Sequence, residues 1–304
     1  MAIITPALLQ SLKVGFSKAF QDALTATPTD WQKIATRVPS STSANTYGWL
    51  NQFPSLREWV GDRVVKDMAA QAYQVQNRLY EATVGVARTD IEDDTVGVYT
   101  PLFAEMGRAA ASHPDILVFG LLAAGESTLC YDGQNFFDTD HPVYPNVDGT
   151  GTPTLVSNYD NGGASPGPAW YLLDTSRALK PIIFQERTRP ELQAMTSDQD
   201  EGVFTTDTYR YGVRYRCNAG YGFWQMAYKS KAALDATSFN AAMRAMMEIK
   251  ADGGRPMGIR PTTLVVPPAL RAEALALIEA QLTGGGNSNP NYKAVEVIVS
   301  PWLS

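Results

Sequence analysis

Trp170-Tyr171-Leu172-Leu173, Pro181-Ile182-Ile183-Phe184-Gln185 and the run Tyr209 to Tyr228, which contains Tyr221-Gly222-Phe223-Trp224-Gln225-Met226, decide how this chain is read. Aromatic and β-branched residues bounded by Gly, Pro, Asp and Ser clusters favour strands over helices. The runs offer no group of side chains equipped for chemistry. They therefore predict a block of sheet built for packing.

The C-terminal side of this block reads as helix, strand, helix, strand. Phe239, Met243, Met246, Met247 and Lys250 share one helical side that Gly253-Gly254 closes. A strand at Thr262 to Val266, a helix opened by Pro268, a loop at Gly284-Gly285-Gly286 and a strand at Val295 to Val299 follow, which makes a compact α/β unit. On the N-terminal side, Thr100-Pro101 opens a helix through Ala111. Pro114 predicts a break before a second helix that runs to Gly125, because proline removes an N–H and crowds the preceding turn. Further back, Thr5-Pro6 signals a helix start, and Leu8, Leu12, Phe16 and Phe20 recur every four residues as far as about Leu24. That stripe needs a surface to cover, on its own domain or on a neighbour. From Trp31 to Arg88 strand-like pieces (Ile34 to Val38, Tyr73 to Gln76, Thr83 to Ala87) alternate with turn-rich sequence, and Tyr47, Trp49, Phe53 and Trp59 crowd together. Tyr144 to Ala169, rich in Gly, Asp and Asn, reads as an exposed excursion.

With 304 residues, 44% of them hydrophobic, the chain can bury a substantial core in one or two domains. A net charge of −6 argues against generic attraction to nucleic acid, which depends on Lys and Arg neutralising phosphates. Cys130 and Cys217 are too few and too far apart for a disulfide framework or a CxxC site, and read as reduced apolar thiols. No apolar run approaches the roughly 18 residues that span a bilayer, and Met1 to Thr5 lacks a charged n-region, so synthesis in the cytoplasm is expected.

Asp138-Thr139-Asp140-His141 is the sharpest chemical candidate, since its oxygen and nitrogen donors could hold a divalent metal. A turn built on Asx hydrogen bonds needs the same residues, and that is the reading adopted, with no metal and no cofactor. His113 reads as a capping or surface residue at the Pro114 break. Asp90, Glu92, Asp93 and Asp94 read as a solvated acidic face near a helix start. No P-loop, G-x-S-x-G or H-E-x-x-H motif is present, so no catalytic residue is assigned.

Cys130-Tyr131-Asp132-Gly133-Gln134-Asn135-Phe136-Phe137-Asp138-Thr139-Asp140-His141-Pro142, Asp252-Gly253-Gly254-Arg255-Pro256 and Pro261-Thr262-Thr263-Leu264-Val265-Val266-Pro267-Pro268, taken with the 170 to 228 block, resemble the major head subunit (gpT) family of Mu-like bacteriophages and prophages. The resemblance runs from about Thr5 to Leu303. It implies an α+β chain of the Hong Kong-97-type phage major capsid fold. The expected parts are an N-terminal arm (1–30), an extended loop and its base (31–94), a peripheral domain with spine helices (95–236) and an axial domain (237–304). The implied function is a structural one: hexamers and pentamers that tile an icosahedral head around double-stranded DNA, with a scaffold protein and a portal as partners, no membrane, and the virion as location. Leu8, Leu12, Phe16, Phe20, Tyr47, Trp49, Phe53 and Trp59 become candidate assembly contacts, the first four as an arm across a neighbour. Two rivals stay open, a head-associated hydrolase or maturation protease using His141 with Asp138 or Asp140, and a tail or decoration protein. Residues 171 to 228 are expected to form one antiparallel sheet on the 101 to 124 helices, with 262 to 266 and 294 to 299 paired in a separate axial sheet.

Overall fold

Thr5 starts the first helix as its sequence predicts, its Oγ1 accepting the Leu8 N–H at 3.2 Å. The computed structural model describes residues 4–51, 73–93, 96–197 and 199–303. Its helices are α1 (Pro6–Ala26), α2 (Trp31–Ile34), α3 (Arg88–Glu92), α4 (Thr100–Ala123), α5 (Glu201–Thr206), α6 (Ala236–Met247) and α7 (Arg271–Ile278). The first strands are β1 (Ala35–Pro39), β2 (Ala44–Tyr47), β3 (Tyr73–Gln76), β4 (Arg78–Ala87), β5 (His141–Val143), β6 (Thr154–Val156) and β7 (Tyr159–Asp160). The remainder are β8 (Trp170–Leu173), β9 (Ile182–Met195), β10 (Thr208–Tyr221), β11 (Ala227–Ser230), β12 (Thr263–Val266) and β13 (Glu296–Val299). Among the described residues no helix is long and apolar enough to cross a membrane.

Two sheets carry the fold. The first runs β1-β9-β10-β4 and the second β13-β12-β8-β11-β7. In β10 the alternation is clear: Tyr209, Tyr211, Val213, Tyr215 and Cys217 are buried, whereas Arg210 and Arg214 are exposed. One face therefore meets helices and the other meets solvent. In the second sheet every residue of β8 and β12 is buried, the signature of central strands covered on both faces. Thr263 to Val266 pair in parallel with Glu296 to Val299, as expected for the C-terminal unit.

The single antiparallel sheet expected for 171 to 228 does not form. β9 and β10 pair with each other, but β8 and β11 leave to join β12 and β13, so Ala227 and Tyr228 share a sheet with 296–299. The reason lies in two chain passages that cross side by side. Asp174, wholly buried, turns the chain after β8, its carboxylate accepting from Ser176 N and Oγ and from Arg260 N. Gly222 turns it after β10, donating to Pro181 O at 2.7 Å. A Cβ there would sit 2.7 Å from Lys180 O, so only glycine lets the passages run this close. The Asp174 N–H then donates to Met226 O at 2.9 Å and ties the crossings together.

Two further expectations change. Pro114 does not break the helix: α4 continues from Thr100 to Ala123 with Pro114 buried inside it. Packing of α1 and the first sheet against α4 outweighs the lost hydrogen bond, and the next residue gains a role, because the Asp115 carboxylate accepts from Asp30 N at 3.1 Å and Trp31 N at 2.7 Å. Tyr144 to Ala169 is not wholly an excursion. It contributes β6, paired with β5, and β7, paired with β11, while the stretches between remain largely exposed.

Candidate functional site

The arm stripe lies against the chain's own α4. Phe16 stacks on Phe103 at 4.2 Å between ring centroids and meets Tyr211 edge-on at 5.3 Å. Phe16 and Phe20 are each 2% exposed, and Leu8 and Leu12 are half-buried against the same cluster. Gly107 of α4 permits the approach, since a Cβ there would fall 2.2 Å from Phe20 O. Of the two surfaces the stripe could cover, the chain supplies one itself, which corrects the reading of Phe16 and Phe20 as an arm across a neighbour.

The base of the extended segment is held by a buried polar network. Tyr47, 3% exposed, donates its hydroxyl to Gln185 Oε1 at 2.8 Å. Gln185 Nε2 donates in turn to Val75 O at 3.1 Å and Asn77 Oδ1 at 2.8 Å, and Asn77 Nδ2 to Ser40 Oγ and Thr42 O at 2.8 Å each. Tyr47 is thus part of the chain's own core, because its ring and its hydroxyl are both satisfied internally. Trp49 falls in the short turn Gly48–Asn51, and Phe53 and Trp59 lie outside the described residues.

Asp138-Thr139-Asp140-His141 divides in two. Asp138 makes the expected turn, its carboxylate accepting from Thr139 N at 2.7 Å and Asn135 N at 3.2 Å, and Asp140 is exposed. His141 does not belong to that turn. Its side chain is completely buried, stacked on Trp224 at 3.9 Å with 7° between planes, and its Nδ1 lies 2.7 Å from Asp132 Oδ2. Cys130 Sγ donates to Asp132 Oδ1 at 3.0 Å. Burial pushes the Asp132 carboxyl up, but the hydrogen bonds from His141 and Cys130 outweigh it and hold the group below the usual carboxylate range. Burial, then the charge of Asp132, pushes the Cys130 thiol well above the ordinary thiol range, so it is a poor nucleophile as it stands. The pairing of His141 with Asp138 or Asp140 that a hydrolase would need is not made. The Cys130–Asp132–His141 convergence was hidden in the sequence, where the signal that could have found it is a Cys-x-Asp followed nine residues later by a His.

His113 is neither cap nor surface residue. It sits half-buried between Tyr80 and Tyr215 at 4.1 and 5.9 Å, and burial lowers its pKa. Asp90 accepts from the Tyr99 hydroxyl and Arg88 Nε lies 3.5 Å from Glu92, while Asp94 lies outside the described residues. Asp90 and Glu92 are half-buried in these local ties of α3, and of the described acidic residues only Asp93 is exposed, so the solvated-face reading is met by Asp93 alone.

The family described as Mu-like prophage major head subunit gpT matches residues 9–303. The major capsid protein of Escherichia phage Mu is 46% identical over 99% of this chain and all of its own length. The Mu-like prophage FluMu major head subunit of Haemophilus influenzae is 50% identical over 93% of this chain and 92% of its own. Among solved structures, a chain of the procapsid of bacteriophage JBD30 superposes with a TM-score of 0.87 at 60% identity, covering 98% of this chain and 100% of that one. A chain of the JBD30 capsid gives 0.77 at 45% identity with both chains fully covered. Fold and relatives together define a phage major-capsid protein of the Hong Kong-97-type fold. The chain belongs to the Mu-like prophage major head subunit gpT family.

Proposed function

We propose that this subunit tiles a closed icosahedral head as hexamers and pentamers around double-stranded DNA, assembling with a scaffold protein and leaving one vertex to a portal. The observation that carries the reading is the full-length superposition on a procapsid subunit at 60% identity. Shell building suits a chain whose buried polar groups serve turns and sheet junctions, because closure by many copies needs only modest free energy per contact. No catalytic role is assigned. The virion is its place of action, after synthesis in the host cytoplasm.

In this reading residues 1–30 form the arm, 31–94 the extended loop and its base, 95–236 the peripheral domain on the α4 spine, and 237–304 the axial domain, with β8 and β11 lent to the axial sheet. The contacts left to a neighbour are Trp49, Phe53 and Trp59 and the open sides of Leu8 and Leu12. Expressing the full chain with and without its scaffold, followed by negative-stain microscopy and mass photometry, tests the proposal. Closed shells or capsomers support it. Monomers or small trimers under both conditions would favour a decoration or tail role.

A further inference from the structure

The turn that follows α4 brings three metal-competent side chains together at the place where the chain passes between its two sheets. Cys130 and Asp132 sit on a tight turn closed by Cys130 N donating to Gln134 O at 2.8 Å, with Gly133 at φ 85°. His141 reaches the same point from β5, its ring fixed flat against Trp224 of the second crossing. One ligand-capable atom from each of the three lies within 4.8 Å of the other two. The cluster is not a solvated surface group: His141 is 0% exposed, Cys130 6% and the Asp132 side chain 11%. His141 Nε2, also buried, has no hydrogen-bond partner. The ring nitrogen that faces the other two donors is Nδ1, 2.7 Å from Asp132 Oδ2.

We propose that Cys130, Asp132 and His141 form a site for a divalent metal of the zinc type, which pins the turn after α4 to the crossing between the sheets. The donor set is one sulfur, one oxygen and one nitrogen, the borderline mixture that selects zinc over magnesium or calcium, with water completing a tetrahedron. Charge balances as well. Binding releases the thiol proton to solvent, and thiolate plus carboxylate neutralise the two positive charges, so the filled site is neutral in a poorly solvated place. Imidazole enters uncharged, and nothing is oxidised or reduced. The bound metal would brace the joint through which β8, β9, β10 and β11 are exchanged between the sheets, a place where looseness would let the two halves of the subunit move against each other.

The test uses the full chain, stripped with a chelator and titrated with zinc and, separately, with cobalt(II) as a spectroscopic stand-in. Expected are about one equivalent of metal per chain, a rise in the thermal midpoint with zinc, and, with cobalt, tetrahedral d–d bands plus a thiolate-to-cobalt charge-transfer band. Cys130→Ser should abolish the charge-transfer band, Asp132→Asn should weaken binding about tenfold or more, and Cys217→Ser should change neither. Absence of binding, a weak octahedral cobalt spectrum, or a charge-transfer band that survives Cys130→Ser would overturn the proposal. If Cys130→Ser fails to fold, X-ray absorption on the zinc-loaded wild type decides: a shell with one sulfur supports the site, and a shell of light atoms only refutes it.

Discussion

Replacing Phe16 by Ala removes a ring that is 2% exposed, stacked on Phe103 and edge-on to Tyr211. Full burial of a Phe side chain contributes about 1.5–3 kcal/mol by transfer, and the two ring contacts add roughly 0.5–1.5 kcal/mol each. Phe→Ala in a core that cannot fully collapse costs ~3–5 kcal/mol, consistent with that sum. Here the neighbours are fixed, Phe103 on α4 and Tyr211 on β10, a strand flanked on both sides in its sheet, so collapse is limited and the upper half of the range is expected. At roughly 2 °C per kcal/mol for a chain of this size, the thermal midpoint of the unassembled subunit should fall by about 8–10 °C. The loss has a ceiling. If it exceeds the docking free energy of α1, the helix detaches, and limited proteolysis near Thr27 to Asp30 should then precede global melting. Val14→Ala is the control, since Val14 is 58% exposed and its loss should stay within about 0.5 kcal/mol. A Phe16→Ala subunit that melts within about 1 °C of wild type, with unchanged protease resistance, would show that the helix is not seated on its own chain. An arm meant for a neighbour would behave in that way.

Gly107→Ala should destabilise the same seat by about 1–3 kcal/mol despite better helix propensity, because the new Cβ must displace the Phe20 carbonyl 2.2 Å away. A denaturant midpoint equal to or above wild type would contradict this. His141→Ala should cost about 2–4 kcal/mol in urea unfolding, since it leaves Asp132 without its partner and Trp224 without its stacked face. An unchanged midpoint would restore the simple turn reading. The Asp132 carboxyl is held below its unfolded value, near 3.9, so its stabilising contribution is present above that pH and disappears as pH falls through the lower folded value. Asp132→Asn should therefore flatten the stability loss below about pH 4, read from urea midpoints across pH. An acid limb parallel to wild type would count against the pairing.

The sequence by itself was sufficient for the elements that local patterns dictate. Thr5-Pro6 and the four-residue stripe placed α1, the aromatic and β-branched run from Tyr209 predicted strand where β10 lies, and the two short apolar runs near the C-terminus were correctly paired. These signals are periodicities and caps, written within a few neighbouring residues. Family membership was legible too, because phrases such as Phe136-Phe137-Asp138-Thr139-Asp140-His141-Pro142 are particular enough to compare directly.

What only the tertiary structure decided was partnership at a distance. Whether Phe16 and Phe20 cover their own helix depends on Gly107, some ninety residues away in sequence but in contact with the Phe20 carbonyl. Pro114 promised a break by a local rule, and α4 continues because packing on both sides outweighs one lost hydrogen bond. The division of the 170 to 228 block between two sheets turns on Asp174 and Gly222, whose roles exist only where the chain crosses itself. His141 likewise stood next to two aspartates in sequence and found a third, Asp132, in space. A β-strand sends successive side chains to opposite faces, and a turn can reverse the chain within a few residues, so adjacency along the chain fixes which residues are available but not which of them meet.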